Sequence, residues 1–282
     1  MLKKMLLLAA SAFIAPTMAF AAPPACISGV TNTTLQSALR TAVTTVGGSL
    51  GLGLNMWATV VNPDGVVCAV AFSSDDAIQG QWLASRVISA QKAFTAATLS
   101  LGWVPGAGSA SSKAKLALST ANLFTAVQPG GSLFGLQHSN PVAAAVAYGD
   151  TGGAPNTNYG SNSDPMLGQV IGGINVFGGG LALYGSNSSP LKQGGVGVSG
   201  DTSCTDHLIA WRVRRNLNLD YLSTDGIGGV SGDTAHPDNI VFDLIPQPGQ
   251  QAGVSPSGWG HPSCGATNAA AKSAASALPP VR

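Results

Sequence analysis

Four histidines, four cysteines and no glutamate set the chemistry open to this 282-residue chain. All 12 acidic residues are Asp, so any mechanism that needs a pair of glutamates is excluded. Cys204-Thr205-Asp206-His207 and His261-Pro262-Ser263-Cys264 are Cys/His pairs of opposite order. Together they could give a structural zinc its four tetrahedral ligands. The alternative is a Cys204–Cys264 disulfide with the histidines as mere neighbours, and the chemistry of an oxidising compartment favours it over zinc. His138 and His236 lie in loop-like surroundings. With Met56 and Met166 the only methionines past the leader, soft ligands for iron are few.

Other patterns are weaker. Ser89-Ala90-Gln91-Lys92, Ser112-Lys113-Ala114-Lys115 and Ser189-Pro190-Leu191-Lys192 each match the Ser-x-x-Lys nucleophile pattern, but no Ser-Asp-Asn or Lys-Thr-Gly partner completes it. Gly195-Val196-Gly197-Val198-Ser199-Gly200 has the letters of a dinucleotide fingerprint. A true site needs those glycines in the turn after a strand, whereas Val196 and Val198 here read as the strand itself.

The context is that of an exported protein. Lys3 and Lys4, the apolar run Met5 to Ile14 and the small residues of Ala19-Phe20-Ala21 read as a signal peptide over residues 1–21. Pro16 breaks a run already too short to span a bilayer, so no membrane span is expected after its removal. The expected location is periplasmic or secreted. Losing Lys3 and Lys4 takes the net charge from +1 to −1, without the concentrated basic surface that nucleic-acid binding requires. All four cysteines lie beyond the leader, and of the three possible pairings Cys26–Cys68 with Cys204–Cys264 is preferred. The first joins two early segments, and the second staples the C-terminal tail to the domain.

The elements that must position these residues follow from periodicity. Leu35, Ala38, Leu39, Ala42, Val43 and Val46 recur at helical spacing. Trp57 to Val61 and Val66 to Phe72 flank Asn62-Pro63-Asp64-Gly65, a hairpin turn. Ile78 to Leu101 reads as a long helix and Lys113 to Val127 as another, stopped by Pro129-Gly130-Gly131. Val142 to Gly173, rich in Gly and Asn, reads as a surface insertion. Ile174 to Tyr184 and Gly195 to Ser199 read as strands, followed by a helix from Thr202 to Leu217 with Asp201, Thr202 or Ser203 as its cap. Residues 222–282 read as an irregular extension, with an ordered run at Ile240 to Ile245 and an Ala/Ser-rich end that is a frayed helix or disordered. The order predicts an α+β fold, an antiparallel sheet with helices packed on it.

Five blocks occur in a telling order: Val60-Val61-Asn62-Pro63-Asp64-Gly65, Gln91-Lys92-Ala93-Phe94-Thr95-Ala96, Pro129-Gly130-Gly131 with Leu136-Gln137-His138-Ser139-Asn140, Phe177-Gly178-Gly179-Gly180, and Gly195 to Gly200. In this order the chain resembles the GlcG/HbpS family of haem-binding proteins, which also carry the label haem-degrading. The resemblance covers about residues 31 to 220. It implies a profilin-like domain over 22–221, assembly into homo-oligomers, and haem or a related tetrapyrrole as ligand, for storage, sequestration or slow breakdown. Asn62 departs from the Asp usual in relatives, and the insertion and extension have no counterpart in the compact domain.

On that footing His138 is the first candidate for an axial iron ligand and His207 the second. Phe94 would supply apolar wall, Lys92 or Arg86 would meet a propionate, and Thr95 belongs to the same block. A plainer reading makes Lys92 a solvated helix residue and Thr95 a helix-packing one. Two other functions stay open: a small-molecule enzyme using His138 or Asp64 as proton carrier, and a non-catalytic assembly or sensor module.

Overall fold

The computed structural model describes residues 25–46, 50–102, 115–149, 157–186, 192–224, 226–248, 250–265 and 268–282. The leader, residues 1–21, lies outside them. Helix α1 (Asn32–Val46) buries Leu35, Ala38, Leu39, Ala42 and Val46, the stripe its spacing predicts. Strands β1 (Trp57–Val61) and β2 (Val67–Phe72) form the expected antiparallel hairpin. Its turn is held by Asn62, whose Oδ1 accepts the N–H groups of Asp64 and Val66, and by Gly65 at φ +83°.

Strands β3 (Gly180–Tyr184) and β4 (Lys192–Ser199) complete a four-stranded antiparallel sheet in the order β2-β1-β4-β3. Helix α2 (Ser85–Leu99) packs on one face, against Trp57 and Val61; α1 and α5 (Ser203–Asn216) cover the other, against Ala58, Val60, Val196 and Val198. The result is an α+β, profilin-like layering. Thr202 caps α5, its side chain accepting the Thr205 N–H, while the Asp201 carboxylate accepts from Leu52 and Leu54. Among the described residues no helix is long and apolar enough to cross a membrane.

Several expected elements differ. The long helix begins only at Ser85, because Asp76 Oδ1 accepts from the backbone of Ile78 and Gln79 and holds the preceding residues in turns. The helix expected over Lys113 to Val127 is mostly absent. Leu116 pairs instead with Leu101 and Gly228, a 3₁₀ turn follows at Thr120–Asn122, and α3 is only Leu123–Ala126. Ser119 and Asn122 bond reciprocally there, the local competition that draws such residues out of helix interiors.

The Gly/Asn-rich insertion is no loose excursion either. Its described parts include α4 (Ala144–Tyr148) and bury Ala147, Tyr159, Met166 and Ile171 with Trp57 and α2. The extension is likewise built in: strands β5 (Ile245–Gln247) and β6 (Gln250–Val254) form a hairpin, and α6 (Asn268–Ser276) follows. Ile227, Ile240, Ala271, Ala275, Leu278 and Val281 join the core beneath α5.

Candidate functional site

The glycine-rich strands do their work through the atoms they lack. A Cβ at Gly195 would meet the Ala93 carbonyl, and one at Gly197 would meet the Ser89 carbonyl and, at 2.5 Å, the Ala93 nitrogen. The alternate glycines of β4 therefore let α2 lie almost on the strand backbone. The same absence admits Lys92. A Cβ at Gly179 would lie 2.8 Å from Lys92 Nζ and 3.0 Å from Asp206 Cβ, so the Phe177-Gly178-Gly179-Gly180 block is the gap through which a lysine of α2 reaches an aspartate of α5.

Lys92 Nζ donates to Asp206 Oδ2 at 2.6 Å and to the Val198 carbonyl at 3.0 Å, and sits 4.6 Å from the Phe177 ring centroid. Neither side chain is more than 1% exposed. Burial pulls the Lys92 ammonium below the usual lysine range and pushes the Asp206 carboxyl up to about 6, against the pull of Lys92. Desolvation is the larger cause of both shifts, and the 2.6 Å contact between the two groups opposes it on each side.

The other expected ligand residues are dispersed. Arg86 is fully buried, forked onto Asp164 at 2.6 and 2.7 Å, donating to the Ala147 carbonyl and lying 3.9 Å from the Tyr159 ring centroid. It ties α2 to the insertion. Thr95 Oγ1 donates to Gln91 O and accepts from Asn175 N. Half-buried Phe94 lies against Gly65 of the hairpin turn. Asp64, on the same turn, is exposed.

Three of the four imidazoles are committed internally. His207 is fully buried, its Nε2 lying 3.2 Å from both Asn239 Oδ1 and Ile240 N, so that it bonds one or the other according to tautomer; burial lowers it to about 3. His261, 2% exposed and lowered to about 4 by burial, donates from Nδ1 to the Pro262 carbonyl at 2.7 Å and meets the Phe124 ring at a tilt, centroids 5.7 Å apart. His236 bonds Asp233 through Nδ1 and the Leu278 carbonyl through Nε2. His138 is different. It ends the 3₁₀ turn Leu136–His138, its ring is exposed, and among the described residues nothing hydrogen-bonds that ring. Both disulfides, Cys26–Cys68 and Cys204–Cys264, are formed.

A half-open cavity of about 790 Å³ lies between the Pro129-Gly130-Gly131 turn and the β5–β6 hairpin. Phe124, Leu244, Val254 and Trp259 give it apolar wall, and Thr125, Gln128, Ser132 and Ser257 give it hydrogen-bonding groups. None of the lining residues is charged. Six residues beyond Ser132, through turns closed by Phe134 N to Gly131 O and Leu136 N to Leu133 O, the chain reaches His138. His138 itself is not among the residues that line the cavity. Phe124 and Trp259 escaped the sequence reading. The Pro-Gly-Gly stop marked one wall, but nothing local announced that a hairpin over a hundred residues later would form the other.

No family model matches the chain, and no curated protein does. Solved structures similar to it include the crystal structure of Klebsiella pneumoniae protein ORFY, described under the family model DUF336. That match has 20% identity over 71% of this chain and 97% of the other, with a TM-score of 0.39. Another is the crystal structure of a PduOC–haem complex, with 19% identity over 69% of this chain and 97% of the other, and a TM-score of 0.42.

Proposed function

We propose that this protein binds haem, or a tetrapyrrole of the same flat shape, in the cavity between the Pro129-Gly130-Gly131 turn and the β5–β6 hairpin, with His138 as axial donor. One observation carries the reading: of four imidazoles only His138 is exposed with a ring that no described residue hydrogen-bonds, and it lies on the segment that continues from the turn that walls the cavity, seven residues past Gly131. The volume falls within the roughly 300–1,000 Å³ of sites that hold small organic ligands. Phe124 and Trp259 offer the aromatic surface a macrocycle needs, and the iron chemistry would be the cofactor's own.

The residues fit the group in part. Lys92 and Arg86 are ion-paired with Asp206 and Asp164, so they are withdrawn from the role of propionate partners; Gln128, Ser132 and Ser257 take that place. His207, sealed beneath Asn239, is withdrawn as an iron ligand. With His138 assigned to the ligand and no ionisable side chain in the lining, the site suits holding a ligand, in storage or sequestration, more than general acid–base turnover. Two disulfides suit work in an oxidising compartment, periplasmic or secreted.

Titrating the apo-protein with hemin tests the proposal. A saturable Soret shift at one equivalent, weakened about tenfold or more by His138→Ala, is expected. The absence of a saturable shift, or unchanged affinity in that variant, overturns it.

A further inference from the structure

The Cys204–Cys264 bond and His261 form a cluster that the proposed tetrapyrrole binding does not use. The two Sγ atoms and a ring nitrogen of His261 all lie within 4.8 Å of one another. Because His261 Nδ1 donates its proton to the Pro262 carbonyl, the ring's lone pair is on Nε2, which meets only a long 3.4 Å contact from Gly178 N. A metal-binding histidine is prepared in the same way, its other nitrogen fixed by a backbone carbonyl. Cys204 lies in the first turn of α5, and its N–H donates to Cys264 Sγ at 3.1 Å, with Ser203 Oγ 3.5 Å from the same sulfur. Donors and a helix N-terminus thus already surround the position where thiolate charge would develop.

While oxidised, the sulfurs are bonded to each other and cannot serve as thiolate ligands. We propose that the Cys204–Cys264 disulfide is a masked metal site: reduced by an external dithiol, Cys204, Cys264 and His261 bind a thiophilic divalent cation of the zinc type, leaving a fourth position for water. A thiolate of the dithiol attacks the half-buried Cys264 sulfur, the S–S bond breaks, and its electron pair leaves on Cys204 Sγ in the first turn of α5. The second thiol of the reductant then displaces Cys264 from the mixed disulfide. Two electrons and two protons have come from the dithiol, which departs as its own disulfide. The cation next displaces the two thiol protons and takes both thiolates and the imidazole nitrogen. His207, although it carries a buried Nδ1 without a hydrogen-bond partner, is outside the 4.8 Å cluster and is not assigned as a ligand. The proposal stands independently of tetrapyrrole binding.

The test uses the protein without its leader, reduced anaerobically, freed of reductant and checked by alkylation and peptide mapping at Cys204 and Cys264. Cobalt(II) is then added. One equivalent is expected to give a thiolate-to-cobalt charge-transfer band and the intense visible bands of tetrahedral cobalt, both bleached by zinc(II) and both missing in the oxidised protein. His261→Ala, which keeps the disulfide through folding, is expected to weaken cobalt binding about tenfold or more, and Cys264→Ser to abolish it. No band in reduced protein overturns the proposal, as does a band unchanged in His261→Ala or persisting in Cys264→Ser, which would place the metal on Cys26 and Cys68. So does a Cys204–Cys264 bond that resists reduction while the protein stays folded. If reduction abolishes the circular dichroism, its recovery with zinc(II) supports the site and its failure to recover overturns it.

Discussion

Lys92→Met separates a structural lysine from a ligand-binding one. The ammonium is fully buried, 2.6 Å from Asp206 and 3.0 Å from the Val198 carbonyl, and the methionine would fill much of its volume while removing its charge. Asp206 would be left 1% exposed, with only the Asp201 N–H, 2.9 Å from Oδ1, as a remaining partner of its side chain among the described residues. Removing one partner of a buried ion pair costs about 3–5 kcal/mol, mostly as the penalty on the charge left behind. In a chain of this size that is a fall in Tm of roughly 10 °C. Burial already raises Asp206 to about 6, and losing Lys92 raises it further. The carboxyl escapes the penalty by taking up a proton, so the deficit is expected to shrink as pH falls from 8 to 5. Urea unfolding with both disulfides intact, at both pH values, measures it. A variant within about 1 kcal/mol of wild type at pH 8, or a deficit that grows on acidification, would refute the reasoning.

Two further outcomes follow. Gly197→Ala is expected to cost about 2 kcal/mol or more by forcing α2 off β4, whereas Gly130→Ala, with open space around it and φ +85°, is expected to cost about 1 kcal/mol; urea midpoints compare them. His207 and His261, lowered to about 3 and 4, are neutral when folded and cationic when unfolded below pH 6.5. The stability they confer is complete above that pH and drains away as pH falls through the folded values, while the raised Asp206 acts in the opposite sense below about pH 6. Ring-proton NMR separates the groups: neither histidine is expected to titrate above pH 5.

The layered α+β architecture was legible in the sequence because its signals are local. The α1 stripe, the Asn62-Pro63-Asp64-Gly65 turn and the Thr202 cap each act within a few residues. Reading Gly195 to Gly200 as strand was also a local matter, since Val196 and Val198 alternate with the glycines. What escaped was long-range. Tyr159, Met166 and Asp164 sit in a Gly/Asn-rich stretch read as a surface insertion, and it is distant partners, Trp57 and Arg86, the latter 78 residues from Asp164, that bury it. Lys92 looked available for a ligand because nothing near it in sequence reveals Asp206, 114 residues on. The cavity depends on the same kind of distant meeting, between Gln128 to Ser132 and the strand and turn from Gly253 to Trp259. His138 was singled out from its block, while Phe124 and Trp259, which would hold the ring, were not.

Hydrogen–deuterium exchange with and without one equivalent of hemin tests the placement of the ligand most directly. Protection is predicted over residues 124–138 and 253–259, with the sheet and α2 unchanged and no protection over 133–138 in His138→Ala. Protection confined to other segments, or none while hemin binds saturably, would contradict the account.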